Sequence, residues 1–394
     1  MNNIFEKYDK KHIENMVVVC KRLDKIFQEL CNHLSVYCSR YQYVEFSKIQ
    51  LEKPWYHNSK LENEINGYLS HFSESLHNEI EGYISGSWEL AERKNDEILS
   101  KILKGSLIAY GGMKVFDLFN RNRPKSETVV LFDSSKLNIS KHAFTMLDDI
   151  MAMPRRVEAL NKFMSRTVEG MNLSDRVWAL TAENKSTVEK LLSNGILNGE
   201  GAPKIAVTLN QFLQNPDMYF RRVRNPDTGL LEYSATAKEY HPGRGVYRSS
   251  LHNARRLAVT EANMAYRLAD HQRWLNNPLV VGFEVRLSSS HPVTDMCDDL
   301  KGSYPKDFVF TGWHPQCLCV AIPILLTDKE MDRYMNRILN GSGHTVEVKS
   351  VKTVKDVPEG FKQWIVNNSE RAKNAKSLPY FYTDNKSFIN KIQS

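Results

Sequence analysis

The residues best suited to chemistry in this chain are three cysteines and two histidines that lie within 29 consecutive positions. They are His291, Cys297, His314, Cys317 and Cys319. Thiolates and imidazoles are the donors that zinc prefers, and four of them around one ion make a closed structural site. We therefore expect a four-coordinate zinc site built from the three cysteines and one of the two histidines. The chain has no CxxC pair, so reduced packing thiols and a catalytic pocket are the alternative interpretations.

Strand-like segments flank these donors. Runs of β-branched and apolar residues predict strands near 279–287, 308–311 and 318–324, which would form a small antiparallel sheet. A closed metal site would then hold the loop between two of these strands in place.

Glu261 is an unusual residue in the helix predicted for about 250–274, because it falls within the apolar stripe of that helix. A carboxylate in such a place must be paired, hydrogen-bonded, protonated or bound to a metal. Arg244 and Arg248 lie in the preceding segment and are the expected partners in a buried ion pair. A general base or a metal ligand is the alternative role.

The basic charge of the chain is concentrated in one segment. Residues 221–256 hold eight Lys or Arg and three acids. The segment therefore has a net charge of 8 − 3 = +5, most of the +7 of the whole chain. With tyrosines interleaved, such a segment suits a nucleic-acid backbone, although a solvated or protein-binding face is the alternative. The candidate contact residues are Arg221, Arg222, Arg224, Arg255 and Arg256.

The overall composition is that of a folded protein. With 394 residues, 41% apolar and 25% charged, the chain has the length of two or three domains and is neither disordered nor membrane-embedded. The N-terminus lacks an apolar signal core, and the longest apolar runs are too short to cross a bilayer. Six unevenly placed cysteines favour a reducing compartment over a secreted disulfide framework.

Helical periodicity dominates outside the strand-like segments. An unbroken 3,4 spacing of apolar residues from Ile13 to Val44 predicts one long helix, and 59–108 predicts a second, with a break in the pattern at 85–87. The predicted fold class is α+β, predominantly helical, with long N-terminal helices and a compact helical module that carries a small antiparallel sheet. The expected domains are an N-terminal helical arm (1–140), the module (141–327) and a C-terminal helical tail (328–394).

Several short motifs occur in an order that resembles one family. They are GRGVYRSS at 243–250, NARR at 253–256, TE at 260–261, AYR at 265–267, HPVTDMC at 291–297, LKG at 300–302 and GWHPQCLC at 312–319. Together they resemble the phage head-morphogenesis family, the group that contains the minor head protein F of phage Mu. The segment SWELAERKND at 87–96 is similar to the N-terminal helices of Bacteroidetes-phage members. Leu318 departs from the family, which usually has Arg between the two cysteines.

The resemblance implies a low-copy minor capsid protein that acts near the portal vertex during head assembly and DNA packaging. The partners it implies are the portal, other head proteins and packaged DNA, and no membrane. The implied location is the virion head, with the host cytoplasm during assembly. The family has no agreed enzymatic activity.

Two other functions are compatible with the residues. One is a metal-dependent nuclease that uses His291, Asp295 and His314 with the basic segment and Glu261. The other is a non-enzymatic DNA-binding module, whose affinity would fall steeply with salt.

Overall fold

The fold is α+β and predominantly helical, as the sequence predicts. The computed structural model describes residues 2–38, 59–109, 157–168, 170–197, 200–214, 222–233, 249–275, 277–288, 291, 294–339, 349–375 and 378–393. The chain divides into two compact units. The first comprises Met1–His12, Gly86–Leu160 and Ala262–Ser394, and the second comprises Ile13–Ser85 and Asn161–Glu261. The domain boundaries expected near 140 and 327 stay predictions.

The helices and strands follow in chain order. They are α1 (Asn2–Cys38), α2 (Ser59–Ala109), α3 (Val157–Met164), α4 (Leu173–Leu197), α5 (Ala202–Gln214), β1 (Arg222–Arg224), β2 (Leu231–Tyr233), α6 (Ser250–Leu275), β3 (Val280–Arg286), α7 (Met296–Leu300), β4 (Gly302–Tyr304), β5 (Val320–Leu325), α8 (Asp328–Leu339), α9 (Glu359–Asn367), α10 (Ser369–Lys373), α11 (Tyr380–Asp384) and α12 (Lys386–Gln393). None of the described helices has a stretch that is long and apolar enough to span a bilayer.

In the second unit, α1 and α2 pack antiparallel along the predicted apolar seam. The Phe27 and Phe72 rings meet edge to face with centroids 4.8 Å apart, and Arg22 pairs with Glu79 at 3.2 Å. Seam residues such as Leu23 are fully buried, so the heptad-like spacing correctly identified the packed face. The expected break at 85–87 is wrong, because α2 runs through these residues without interruption.

Where the structure describes residues 157–214, they are mainly helical. The Asn172 side chain accepts the amide N–H of Asp175 at 2.8 Å, and Asp175 accepts the amide N–H of Asn172 at 3.1 Å. This reciprocal pair is a capping arrangement that satisfies free N–H groups where α4 begins. Asn172 is therefore the residue that caps α4.

The first unit holds a three-stranded antiparallel sheet in the order β4-β3-β5. The strands expected near 279–287 and 318–324 are confirmed as β3 and β5. The strand expected near 308–311 is wrong, and the third strand is β4 instead. The reason lies far along the chain: the Asn385 side chain donates to the carbonyl of Val309 and accepts its amide N–H, at 2.9 and 2.8 Å. A side chain thereby supplies the backbone partners that a neighbouring strand would have supplied.

The core of the first unit is aromatic and includes the C-terminal helices. Trp313 is buried and packs against Tyr304, Phe310 and Phe381. Phe361 of α9 belongs to the same cluster. Helices α9, α11 and α12 therefore contribute to this core, and Tyr380 and Tyr382 pack against it.

Candidate metal centre

The short helix α7 holds a carboxylate beside a thiol. Asp295 caps the helix: its Oδ1 accepts the amide N–H of Cys297 at 2.7 Å, and its own N–H donates to Oδ2 of Asp298 at 3.0 Å. This reciprocal capping box fixes the start of a helix that is too short to be stable by propensity. It therefore fixes the Asp295 carboxylate next to the Cys297 thiol.

The loop before β5 brings the other donors together through two unusual backbone conformations. Gly312 has φ +126°, and Gln316 has φ +60°. The amide of Cys317 donates to the carbonyl of His314 at 3.1 Å, which closes a tight turn between these two candidate ligands. A side chain at Gly312 would adopt a disfavoured backbone conformation and would also strike the guanidinium of Arg267.

Arg267 of α6 supports this loop from the inside. Its buried guanidinium donates to the carbonyls of Thr311 (3.0 Å), Cys317 (2.5 Å) and Cys319 (2.8 and 3.2 Å). Asn263, one turn earlier on α6, adds a second donor to the Cys317 carbonyl at 3.0 Å. These charge-assisted bonds satisfy buried carbonyls that have no strand partner, so α6 sets the shape of the cysteine loop.

A polar layer on α1, α2 and α6 continues from Asn263. The Asn263 amide oxygen accepts from Nε2 of His12 at 2.7 Å, and Lys94 forms a buried ion pair with Asp270 at 2.6 Å. Burial lowers the pKa of His12 to about 4 and raises the pKa of Asp270 to about 6. His12 is therefore neutral at physiological pH.

The thiol and imidazole donors of the loop and of α7 meet at one point. Sγ of Cys297 lies 3.1 Å from Nε2 of His314 and 3.8 Å from Sγ of Cys317, and these three donor atoms all lie within 4.8 Å of one another. Oδ2 of Asp295 lies 3.1 Å from the same Nε2 of His314. A second group, His291, Asp295 and Cys297, also has its donor atoms within 4.8 Å of one another. The Cys297, His314 and Cys317 group could hold a metal ion.

The site has a buried sulfur side and a more open polar side. Cys297, Cys317 and Cys319 are each 1% exposed. The side chains of His314 and Asp295 are 31% and 33% exposed, and that of His291 is 12% exposed. These three cysteines, like Cys20 and Cys31, are free thiols.

The orientation of His314 favours a ligand role for Nε2. Its Nδ1 lies 2.8 Å from the carbonyl oxygen of Pro315, which can only accept a hydrogen bond. In the neutral ring the proton therefore belongs on Nδ1, and the lone pair of Nε2 points toward Cys297 and Asp295. This arrangement, with one ring nitrogen bonded to a backbone carbonyl, is typical of a metal-binding histidine.

Contacts within the cluster shift the pKa values of Cys297 and Cys317 in opposite directions. Donation of its S–H to Cys317 raises the pKa of Cys297. The hydrogen bonds that Cys317 receives from Cys297 and Cys319, helped by the positive charge of Arg267, lower the pKa of Cys317. These contacts favour the thiolate form at Cys317 over that at Cys297, and the thiolate is the form of cysteine that binds a metal ion.

Glu261 is buried, and its carboxylate is held by two arginines. Arg166 pairs with Oε2, and Arg176 pairs with Oε1 at 2.8 Å. The partners expected from sequence, Arg244 and Arg248, lie outside the described residues. Arg166 and Arg176 lie more than 80 positions before Glu261. The sequence-based expectation took arginines close to Glu261 along the chain and therefore missed them.

The basic candidates have different environments where the structure describes them. Arg255 pairs with Asp24, and the exposed Arg224 donates to the carbonyl of Gly229 within the β1-β2 hairpin at 2.8 Å. Arg256 lies on α6 and is partly buried. Arg221 and the side chain of Arg222 lie outside the described residues.

Two residues of the site had no role in the ligand set expected from sequence. Arg267 appeared only as part of a motif, and Asp295 only in the nuclease alternative. Asn263 and Arg267 are four residues apart on a helix face that also buries Val259 and Trp274. Two long polar side chains on such a face are the signal that indicates buried hydrogen-bond donors.

Comparison of the chain with protein-family models, with curated protein sequences and with solved structures finds no match in any of the three.

Proposed function

We propose that this chain is a minor head protein of a tailed phage that acts in head assembly and DNA packaging near the portal vertex. One observation supports the proposal: motifs that are far apart in the sequence act together in space. Arg267, from the motif at 265–267, binds the backbone of the motif at 312–319. The motif at 291–297 contributes Cys297 to the same cluster. Three of the motifs that carry the family resemblance therefore meet in the first unit.

In this proposal the metal centre holds a structural zinc ion. Two thiolates and an imidazole are soft and borderline donors, which disfavours magnesium and calcium and suits zinc. The buried sulfurs lie beside the aromatic core, where a bound ion would fasten α7 to the loop before β5. Zinc would thereby raise the folding stability of the module and would have no catalytic role.

The partners in this proposal are the portal, other head proteins and DNA, and the location is the virion head after assembly in the host cytoplasm. The exposed hairpin carries Arg224 together with Val223, Leu230 and Leu231, which are all exposed. A basic and apolar surface of this kind suits a protein partner as well as a nucleic-acid backbone.

The decisive experiment locates the chain in particles. Procapsids and filled heads from cells that produce this chain with its own head proteins would be separated on a density gradient. Quantitative mass spectrometry would then count the chain relative to the major capsid protein, with an abundant host protein as the contamination control. We expect a low, fixed copy number in both fractions, at one vertex by electron microscopy. Absence of the chain from particles at every stage would refute the proposal.

A metal-dependent nuclease is the second candidate, and one observation favours it. His291, Asp295 and His314 form the more open edge of the site, where a metal-bound water would have access to substrate. Purified protein would be incubated with plasmid DNA and zinc, magnesium or manganese in turn. Cleavage that Asp295→Asn abolishes would support this function, and intact plasmid under every metal would exclude it.

A further inference from the structure

We propose that Oδ2 of Asp295 is the fourth ligand of the metal centre, which completes a set with Cys297, His314 and Cys317, and that Cys319 is not a ligand. The inference deepens the proposed zinc centre and rests on it. It differs from the set expected from sequence, which took all three cysteines and one histidine.

Three observed distances match three of the six edges of a tetrahedral site. With zinc–sulfur bonds near 2.3 Å and zinc–nitrogen or zinc–oxygen bonds near 2.0–2.1 Å, a tetrahedral site has edges of about 3.8 Å (S to S), about 3.6 Å (S to N) and about 3.4 Å (N to O). The corresponding distances are 3.8 Å from Cys297 to Cys317, 3.1 Å from Cys297 to His314 and 3.1 Å from His314 to Asp295. Binding therefore requires shifts of half an ångström or less along these edges.

With His314 neutral, the contact between Asp295 and His314 favours a metal ion at this point. The Pro315 carbonyl holds the proton of a neutral His314 on Nδ1, so Nε2 presents a lone pair to a carboxylate oxygen 3.1 Å away. Two acceptors at that distance repel each other. A metal ion between them and the two sulfurs turns the repulsion into coordination.

The surroundings of Asp295 hold its carboxylate in the required orientation. Oδ1 accepts the N–H of Cys297, which leaves Oδ2 as the oxygen that faces the site. On the other side, Nε2 of His291 lies 3.2 Å from Asp298 and 3.7 Å from Oδ1 of Asp295. These neighbours fix the ligand in the way that outer partners fix ligands in metal sites.

Cys319 fits the ligand set less well. It belongs to neither of the two groups of described residues whose donor atoms all lie within 4.8 Å of one another, whereas Asp295 belongs to the group with His291 and Cys297. Its carbonyl is held by Arg267, and the next residue already belongs to β5. Its thiol is hydrogen-bonded to Cys317, and we assign it as a buried thiol that supports this ligand without binding the ion. Four protein ligands without Cys319 still close the coordination sphere, which favours a structural role over a catalytic one.

X-ray absorption spectroscopy at the zinc edge of the intact chain tests this assignment directly. We expect two sulfur and two nitrogen or oxygen neighbours. Three sulfurs and one nitrogen would overturn the Asp295 assignment and leave the zinc centre standing. Protein that takes up no zinc would overturn the zinc centre as well. Neither result depends on where the chain lies in a particle. The phage-head proposal is tested separately, by the count of this chain in purified particles.

Three variants provide an independent test by competition for zinc with a chromophoric chelator. Asp295→Asn keeps a good helix cap but replaces the anionic ligand, so its zinc affinity should fall at least about tenfold. Cys319→Ser should keep the zinc affinity and the sulfur count of the wild type. Asp299→Asn, on the exposed side of the same short helix, is the matched control and should change neither. Retained affinity in Asp295→Asn together with lost affinity in Cys319→Ser would overturn the assignment.

Discussion

Replacement of Arg267 by methionine is the most informative perturbation of this protein. The variant keeps an unbranched apolar stem beside Phe310 and removes only the guanidinium. The carbonyls of Thr311 and Cys319 then lose the N–H groups that Arg267 donates, whereas the Cys317 carbonyl keeps the amide of Asn263.

The expected loss follows from these contacts. A buried carbonyl that loses its hydrogen-bond donor costs about 1–3 kcal/mol, so two such carbonyls cost roughly 2–6 kcal/mol. The free energy of unfolding of a typical domain is about 5–15 kcal/mol. The variant should therefore lose a large part of the stability of the first unit, and it should also bind zinc more weakly because the cysteine loop is no longer held.

The assay is urea denaturation followed by the fluorescence of the tryptophans, which include the buried Trp313, together with chelator competition for zinc. Arg93→Met is the matched control, because Arg93 forms an exposed pair with Glu89 that is four residues away on α2. That pair contributes about 0.3–0.5 kcal/mol. A loss in Arg267→Met that is no larger than in Arg93→Met would refute the role assigned to the guanidinium.

Three further predictions concern pH, the buried carboxylate and the metal. Burial lowers the pKa of His12 from 6.5 to about 4, so the folded state loses stability as the pH falls from 6.5 towards 4, by at most about 3 kcal/mol. Denaturation at several pH values should show that His12→Gln lacks this contribution to the pH dependence of the free energy of unfolding. The same pH dependence in variant and wild type would contradict the prediction. Glu261→Gln should lower the free energy of unfolding by about 3 kcal/mol in urea titrations, because Arg166 and Arg176 lose their counter-charge; a change no larger than that of the exposed Glu158→Gln would refute the reasoning. Removal of zinc by a chelator should lower the melting temperature and expose the three buried thiols to a thiol reagent, and unchanged melting and thiol reactivity would show that no stabilising metal was bound.

The helices and the donor cluster follow from local sequence. The apolar spacing on α1 and α2, the cap at Asn172 and the helix that begins at Asp328 depend on residues within a few positions of each other. The density of Cys and His around 291–319 likewise identifies a place where soft ligands are concentrated. Neighbouring residues carry this information because helix periodicity and capping are short-range effects.

Contacts between distant segments were not predictable in the same way. Residues 308–311 have the composition of a strand, but the Asn385 side chain binds the backbone of Val309, so no strand partner is needed there. Glu261 was correctly expected to need a partner. Its described partners are Arg166 and Arg176 because the fold of the second unit brings them to the carboxylate, whatever their distance along the chain.

By itself the sequence determined the helical class of the fold, two strands of the small antiparallel sheet and most of the donors of the candidate metal centre. Only the tertiary structure decided which of those donors meet, that Arg267 holds the cysteine loop, and that Asp295 lies against His314. The physical reason is that periodicity is encoded in adjacent residues. By contrast, the partner of a buried polar group is chosen by the packing that brings distant segments together.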